Sequence, residues 1–380
     1  MKKQLLAVSA LIVALGLTAC GKPAQAPKSV DGGAKTQTPA AAGGLIGLAI
    51  PEATSERWKN AAEFMKKELE AKGYKVEIGY GDGDQSKQNK QIEDFITKGA
   101  KVIVVGAVND SVAQAVDSAK AAGVQVIAFD RLIKGTDQYD YYMTFDNFKV
   151  GAFQGEAIKA ALDLDKSKGK NITLFAGAST DNNARVFFDG AWSVLKPYVD
   201  SGALKVCGPV PTDSKDPNWT KIATPDWAND KAKARMETLI SGDCKGVTLD
   251  AVLAPNDGLA RAIIGALEQS GKYKTLPFVT GQDAELLSVK WINEGKQGMT
   301  VFKDDRFLAK ATAEAADALV KGQKPAPTVK FKEDTSSYNT GKKTVDAFLL
   351  EPLVVNKANT TSAMVDSGFY TADQVAKGTK

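Results

Sequence analysis

Side chains able to hydrogen-bond or carry charge stand directly after aliphatic runs at five places in the chain. Arg57 and Trp58 follow Leu45–Ile50, Asp130 and Arg131 follow Val124–Phe129, and Asp181, Asn182 and Asn183 follow Asn171–Phe175. Asn256 and Asp257 follow Ala251–Leu253, and Gln282 and Asp283 follow Leu276–Val279. Carboxylate, amide and guanidinium groups are planar, and each can hold two neighbouring hydroxyls at once. The indoles of Trp58 and Trp227 offer flat apolar faces against which the C–H groups of a ring can pack. This set suits a pyranose. The sequence contains no histidine, which removes Ser-His-Asp and Cys-His catalysis and the commonest transition-metal ligand. Paired carboxylates such as Asp130 and Asp257 leave carbohydrate hydrolysis as an enzymatic alternative.

Each member also has a local explanation. Trp58 lies on the apolar face of a helix, Asp130 with Arg131 makes an ion pair, and Asp181 and Asn256 are good helix N-caps. Joint placement is what raises the binding reading above these. The aliphatic runs alternate with amphipathic stretches: Leu45–Ile50, then Glu56–Lys72 with Trp58, Ala61, Met65 and Leu69 on one face, then Tyr74–Tyr80. Helix 87–98, strand Lys101–Val105, helix 111–122 and strand Val124–Phe129 continue the series. The pattern restarts with helix 149–163 and runs through strands at Asn171–Phe175, Leu204–Gly208, Ala251–Leu253 and Leu276–Val279. Helices at 182–196, 227–241 and 257–270 separate them. Such alternation predicts an α/β fold with two doubly wound parallel sheets. Open parallel sheets bind ligands beyond the carboxyl ends of their strands, so all five polar groups are expected at one cleft.

From Gly44 onward about 335 residues remain, too many for one core and suited to two domains. Hydrophobic residues make up 43% and charged residues 25%, with a net charge of +4 and no dense basic run; nucleic acid is not an expected partner. Ahead of the globular part, Lys2 and Lys3 precede the apolar stretch Leu5–Leu17, and Leu17-Thr18-Ala19-Cys20 has the form of a lipobox. The apolar run is about a dozen residues, short of the roughly 20 that span a bilayer. Residues 1–19 are therefore expected to be a lipoprotein signal peptide and Cys20 the lipidated residue. The Gly-, Pro-, Ala- and Lys-rich segment 20–44 is expected to be a tether with a reach of roughly 25–30 Å. The expected location is the cell envelope, lipid-anchored outside the cytoplasmic membrane or in the periplasm. Cys207 and Cys244 are compatible with a disulfide worth about 4 kcal/mol and equally with two separate buried thiols.

Several ordered segments carry a resemblance. Ser55-Glu56-Arg57-Trp58, Gln91-Ile92-Glu93, Phe129-Asp130-Arg131-Leu132-Ile133, Thr144-Phe145-Asp146-Asn147, Asp181-Asn182-Asn183-Ala184, the stretch Val194–Gly202 and Gly281-Gln282-Asp283-Ala284 resemble the xylose/multiple-sugar-binding proteins of bacterial ABC transporters. The similarity extends over nearly all of 45–370 and favours the subgroup for D-xylose, D-glucose, D-galactose and L-arabinose over that for ribose. It implies a type I periplasmic-binding-protein fold: two lobes joined by a three-segment hinge, crossing near Asn147–Val150, Gly298–Asp304 and Leu349–Pro352. The lobes would then comprise 45–148 with 302–348, and 149–301 with 349–380. The resemblance further implies a sugar site formed by Arg57, Trp58, Asp130, Arg131, Asp146, Asn183, Trp227, Asp257, Gln282 and Lys303, without cofactor, metal or catalysis. Expected partners are a monosaccharide and an ABC permease, with a membrane chemoreceptor or sensor kinase as the alternative recipient, and the protein is expected to be a monomer. The segment Pro209–Asp226, with its extra Trp219, is longer than the family pattern leads one to expect.

Overall fold

A computed structural model describes residues 43–380. The expected signal peptide at 1–19, Cys20 and all but the last two residues of the 20–44 segment lie outside the described residues. Beginning at β1 (Leu45–Ile50), the chain alternates α1 (Glu56–Ala71), β2 (Lys75–Tyr80), α2 (Gln85–Thr97), β3 (Val102–Val105), α3 (Ala113–Ala121), β4 (Gln125–Phe129) and β5 (Tyr141–Phe145). These strands are parallel, and β1 sits between β2 and β3. Every residue of β1 and β3 is buried, because helices cover both faces; that is why both read as unbroken aliphatic runs.

The second half opens with α4 (Asn147–Ala161), β6 (Lys170–Leu174), α5 (Asn182–Asp200), β7 (Leu204–Val206), α6 (Asn229–Ser241), β8 (Ala251–Leu253) and α7 (Asp257–Gln269). It continues with β9 (Phe278–Val279), α8 (Leu286–Glu294), β10 (Thr300–Phe302), α9 (Asp305–Val320), β11 (Lys332–Asp334), β12 (Asp346–Leu350), β13 (Leu353–Val355) and α10 (Ala372–Lys377). One sheet has the order β11-β12-β5-β4-β3-β1-β2 and the other β7-β6-β8-β9, while β10 and β13 form a small antiparallel pair. This is the type I periplasmic-binding-protein architecture, with one sheet per lobe.

The chain passes between lobes three times: from β5 into α4, from β10 into α9, and from β12 into β13. Asp146 N–H donates to the Leu350 carbonyl at 2.9 Å, tying two of the crossings together. Helix α9 packs on α1 of the first lobe, whereas Tyr370 in the tail donates to the Ala284 carbonyl of the second. Helices α4 and α5 lie nearly backbone to backbone. A Cβ on Gly151 would run into the Phe187 carbonyl, and one on Gly190 into the Phe148 carbonyl. This contact seats the start of α5 beside the first crossing.

Cys207 and Cys244 are joined in a disulfide with Cα atoms 5.6 Å apart, within the usual span. The helix expected from 227 begins at Asn229, because Asp226 and Trp227 are left-handed at φ 57° and 55°. No helix among the described residues is long and apolar enough to cross a membrane.

Candidate sugar site in the interlobe cleft

A cavity of about 280 Å³ opens between the carboxyl ends of the two main sheets. Arg57, Trp58, Asp130 and Arg131 line it from the first lobe; Asp181, Asn183, Phe187, Trp227, Asn256, Gln282 and Asp283 line it from the second; Lys303 lines it from a crossing segment. The five strand ends singled out in the sequence thus meet at one place.

Arg57 leads the ionic network. Its Nη2 lies 2.7 Å from Asp130 Oδ2 and 3.2 Å from Asp305 Oδ1, and its Nε lies 3.6 Å from Asp283 Oδ1 on the opposite lobe. Lys303 Nζ stands 3.1 Å from Asp283 and 3.8 Å from Asp130. Across the cleft Arg131 Nε meets Asp181 Oδ2 at 3.1 Å, and the same oxygen accepts from Trp227 Nε1 at 3.2 Å. Asn183 Nδ2 donates to the Asp130 carbonyl at 2.8 Å, and Asn183 Oδ1 accepts from Asn147 Nδ2 at 3.0 Å. The lobes are therefore in direct polar contact.

Burial alone would raise the Asp130 carboxyl, but the Arg57 and Lys303 cations outweigh it and hold it at about 2. Asp305 is buried just as deeply, and its contact with Arg57 is longer. Desolvation wins there and pushes it up to about 7. Burial would also disfavour the charged form of Arg57, yet the three carboxylates around it raise its pKa above the ordinary value.

The aromatic groups are set by backbone as much as by packing. Trp58 belongs to the first-lobe core and also reaches the cleft, 5% exposed, with the guanidinium carbons of Arg57 and Arg131 5.2 and 5.4 Å from its ring. Trp227 makes an edge contact with Phe187 at 6.5 Å. A Cβ on Gly177 would collide with the Trp227 indole, so glycine is required there. Five of the seven non-glycine residues at positive φ in the described chain cluster here: Asp130, Asp226, Trp227, Asp283 and Ala284. Such conformations cost of order 1–3 kcal/mol each and persist where surrounding contacts impose them.

Two expected residues do not line the cavity. Asp257 has no exposure, because its carboxylate turns into the second lobe. It accepts from Gln297 Nε2 at 2.8 Å, the Glu285 N–H at 2.9 Å and Thr300 Oγ1 at 3.0 Å. Burial, with Glu285 nearby, raises it well above the ordinary carboxylate value; its neighbour Asn256 faces the cavity instead. Asp146 caps α4 by accepting from the Lys149 N–H at 3.1 Å and so serves the crossing. Among the participants not read from the sequence are Phe187 and Asp305, with Arg261 and Glu285 at the cavity's edge. Phe187 stands one helical turn after Asn183 on the same face of α5, a periodicity that could have found it. Asp305 lies in a Lys-Asp-Asp-Arg string that reads as a solvated helix start.

The chain matches a model described as a periplasmic binding protein domain over residues 46–324. It is 43% identical over 338 residues to the multiple sugar-binding periplasmic receptor ChvE of Rhizobium radiobacter, covering 87% of this chain and 92% of that protein. It is 36% identical over 326 residues to the D-xylose-binding periplasmic protein of Escherichia coli K12, covering 86% and 90%. A crystal structure of an ABC transporter solute-binding protein from Clostridium phytofermentans with bound β-D-glucose superposes with a TM-score of 0.80 at 39% identity. That match covers 87% of this chain and 99% of the other. Fold, cleft and matches agree: the chain belongs to the periplasmic binding protein family.

Proposed function

We propose that the protein captures a pyranose monosaccharide of the xylose, glucose, galactose or arabinose class between its lobes and delivers it to an ABC permease. The observation that carries this reading is a set of unspent hydrogen-bonding atoms. Arg57 Nε and Gln282 Oε1 are buried, belong to residues lining the cavity, and find no hydrogen-bond partner among the described residues. Asp283 Oδ1, ion-paired with Lys303 Nζ at 3.1 Å and facing Arg57 Nε at 3.6 Å, receives no aligned hydrogen bond there. Buried polar atoms in that state are costly unless a ligand meets them. Vicinal hydroxyls supply both the acceptor for Arg57 and the donors for the two oxygens, while Trp58, Phe187 and Trp227 face the ring's C–H groups.

Capture works by closure. Residues from both lobes contact the ligand together only when the lobes meet, and that differential contact is what shifts the open–closed equilibrium. Micromolar affinity requires a net of about 8 kcal/mol, within reach of a handful of charge-assisted bonds at about 1.5–3 kcal/mol each. Lipidation of Cys20 would keep a monomeric receptor beside its permease, and mass spectrometry of the mature protein for a diacylglyceryl-modified Cys20 tests that part. Calorimetry against xylose, glucose, galactose, arabinose and ribose tests the main reading. At least one of the first four should bind with micromolar or tighter affinity and be recovered unchanged. Absence of binding to all five, or turnover of a bound sugar, would refute it.

A further inference from the structure

The excursion between β7 and α6 gives Trp227 to the cleft, but the residues before Trp227 have no part in the site described above. Trp219, on a 3₁₀ turn at Pro217–Lys221, is the largest fully buried side chain among the described residues. The guanidinium of Arg185, on the first turn of α5 after Asn183, lies over its ring at 4.3 Å and donates to the Ser214 carbonyl. Farther along α5, Asp189 accepts from Ser214 Oγ at 2.6 Å and Trp192 Nε1 donates to the Thr212 carbonyl at 2.9 Å. Past Trp219 the backbone bridges Ala223 to Ala176, and Trp227 N–H then donates to the Thr224 carbonyl at 3.2 Å.

This segment carries two costs that packing does not require. The indole N–H of Trp219 is buried and meets no acceptor among the described residues, worth about 1–3 kcal/mol. Asp226 and Trp227 both hold left-handed backbone. Backbone strain and an orphaned donor in one short run are understandable if the run holds something in place. What it holds is Trp227, whose indole meets Asp181, which in turn meets Arg131 of the other lobe.

We propose that Trp219, clamped between the second-lobe core and Arg185, is a positioning residue for the cleft: it fixes the excursion so that Trp227 presents its ring to the ligand and its N–H to Asp181. The affinity part of this inference rests on the sugar reading; the positional part does not. The test uses the full chain labelled with 5-fluorotryptophan, in which the Trp227 resonance is identified by its loss in Trp227→Phe. Trp219→Phe and Arg185→Met, which removes the guanidinium from the indole face, should both displace or broaden that resonance. In calorimetry with D-glucose and D-xylose both should weaken binding by about threefold to tenfold, the scale of a cation–π contact of this kind, while the melting temperature moves by only a few degrees. In a Trp227→Ala background the same changes should have no further effect on affinity. An unmoved Trp227 resonance in both variants would overturn the proposal, as would an equal affinity loss with and without Trp227. If the parent protein bound no monosaccharide, the sugar reading would fail and the resonance would still decide the positional claim.

Discussion

Asp257 and Asp283 stand at neighbouring strand ends yet meet opposite fates. Asp257 is spent on Gln297, Glu285 and Thr300 inside the lobe, whereas the Asp283 carboxylate lines the cavity, ion-paired with Lys303 and Arg57. Asp257→Asn should therefore change sugar affinity by less than about threefold, because the amide replaces a carboxyl whose burial already favours the neutral form. Asp283→Asn should weaken it by at least about tenfold, the loss of one charge-assisted bond; calorimetry on the two variants side by side decides. Asp305 gives a pH signature. Its value in the folded protein, about 7, lies above the ordinary 3.8, so the folded state holds the proton more tightly than the unfolded chain. Its contribution to stability is complete below about pH 4 and declines as pH rises to about 7. Asp130, held at about 2, acts in the opposite sense, with a contribution present above about pH 4 and lost as pH falls toward 2. Thermal melts of Asp305→Asn between pH 4 and 8 should show a flatter profile than the parent and a gain over it above pH 7. Parallel profiles would show that Asp305 titrates as an ordinary carboxylate.

At the scale of elements, the closeness of α4 and α5 is what places Asn183 and Phe187. Gly190→Ala puts a methyl against the Phe148 carbonyl and the Ala152 amide. Overpacking of this sort typically costs about 1–3 kcal/mol, so the melting temperature should fall by roughly 2–10 °C. Sugar affinity should fall with it, since the start of α5 is displaced. A variant that melts lower while binding sugar as tightly as the parent would show that the helix contact does not set the site. The elements themselves were legible in the sequence to very different degrees. β1 and β3 stood out because strands covered on both faces must be aliphatic throughout. The crossing strands β10 and β13 are three residues each, too short to establish a period, and only the resemblance located the crossings. The five strand-end groups were readable because parallel topology forces them to one edge, yet topology does not say which of two adjacent residues turns inward. That is why Asn256 and Asp257 exchanged places, and why the tertiary burial of Asp305 left no trace in a charged string. Trp227 was legible as a site residue, but its left-handed backbone depends on Gly177 and on the bridge to Ala176, both distant in sequence.

At the scale of the whole molecule, closure depends on contacts between lobes as well as on ligand. The first turn of α1 reaches the start of α8, where the Leu286 N–H donates to Glu56 Oε2 at 3.3 Å and Ser55 Oγ to Glu285 Oε1 at 3.4 Å. Lys380 Nζ approaches Glu56 Oε1 at 3.5 Å. These rim contacts form only when the lobes are together, so they bias the protein toward the closed state before any sugar contact is counted. Ser55, Glu56 and Glu285 stand at the edge of the same cavity, but weakening their contacts leaves the ionic network of Arg57, Asp130, Asp283 and Lys303 in place and lowers the closed population that holds the sugar. Glu56→Ala should therefore raise the sugar dissociation rate by about threefold to tenfold, the range of one hydrogen bond of ordinary net worth, with little change in the association rate. Stopped-flow tryptophan fluorescence measures both rates, and small-angle scattering of the unliganded variant should show a larger radius of gyration than the parent. An unchanged dissociation rate together with an unchanged radius would mean that closure is governed by the ligand's contacts and the ionic network beneath them, not by the rim.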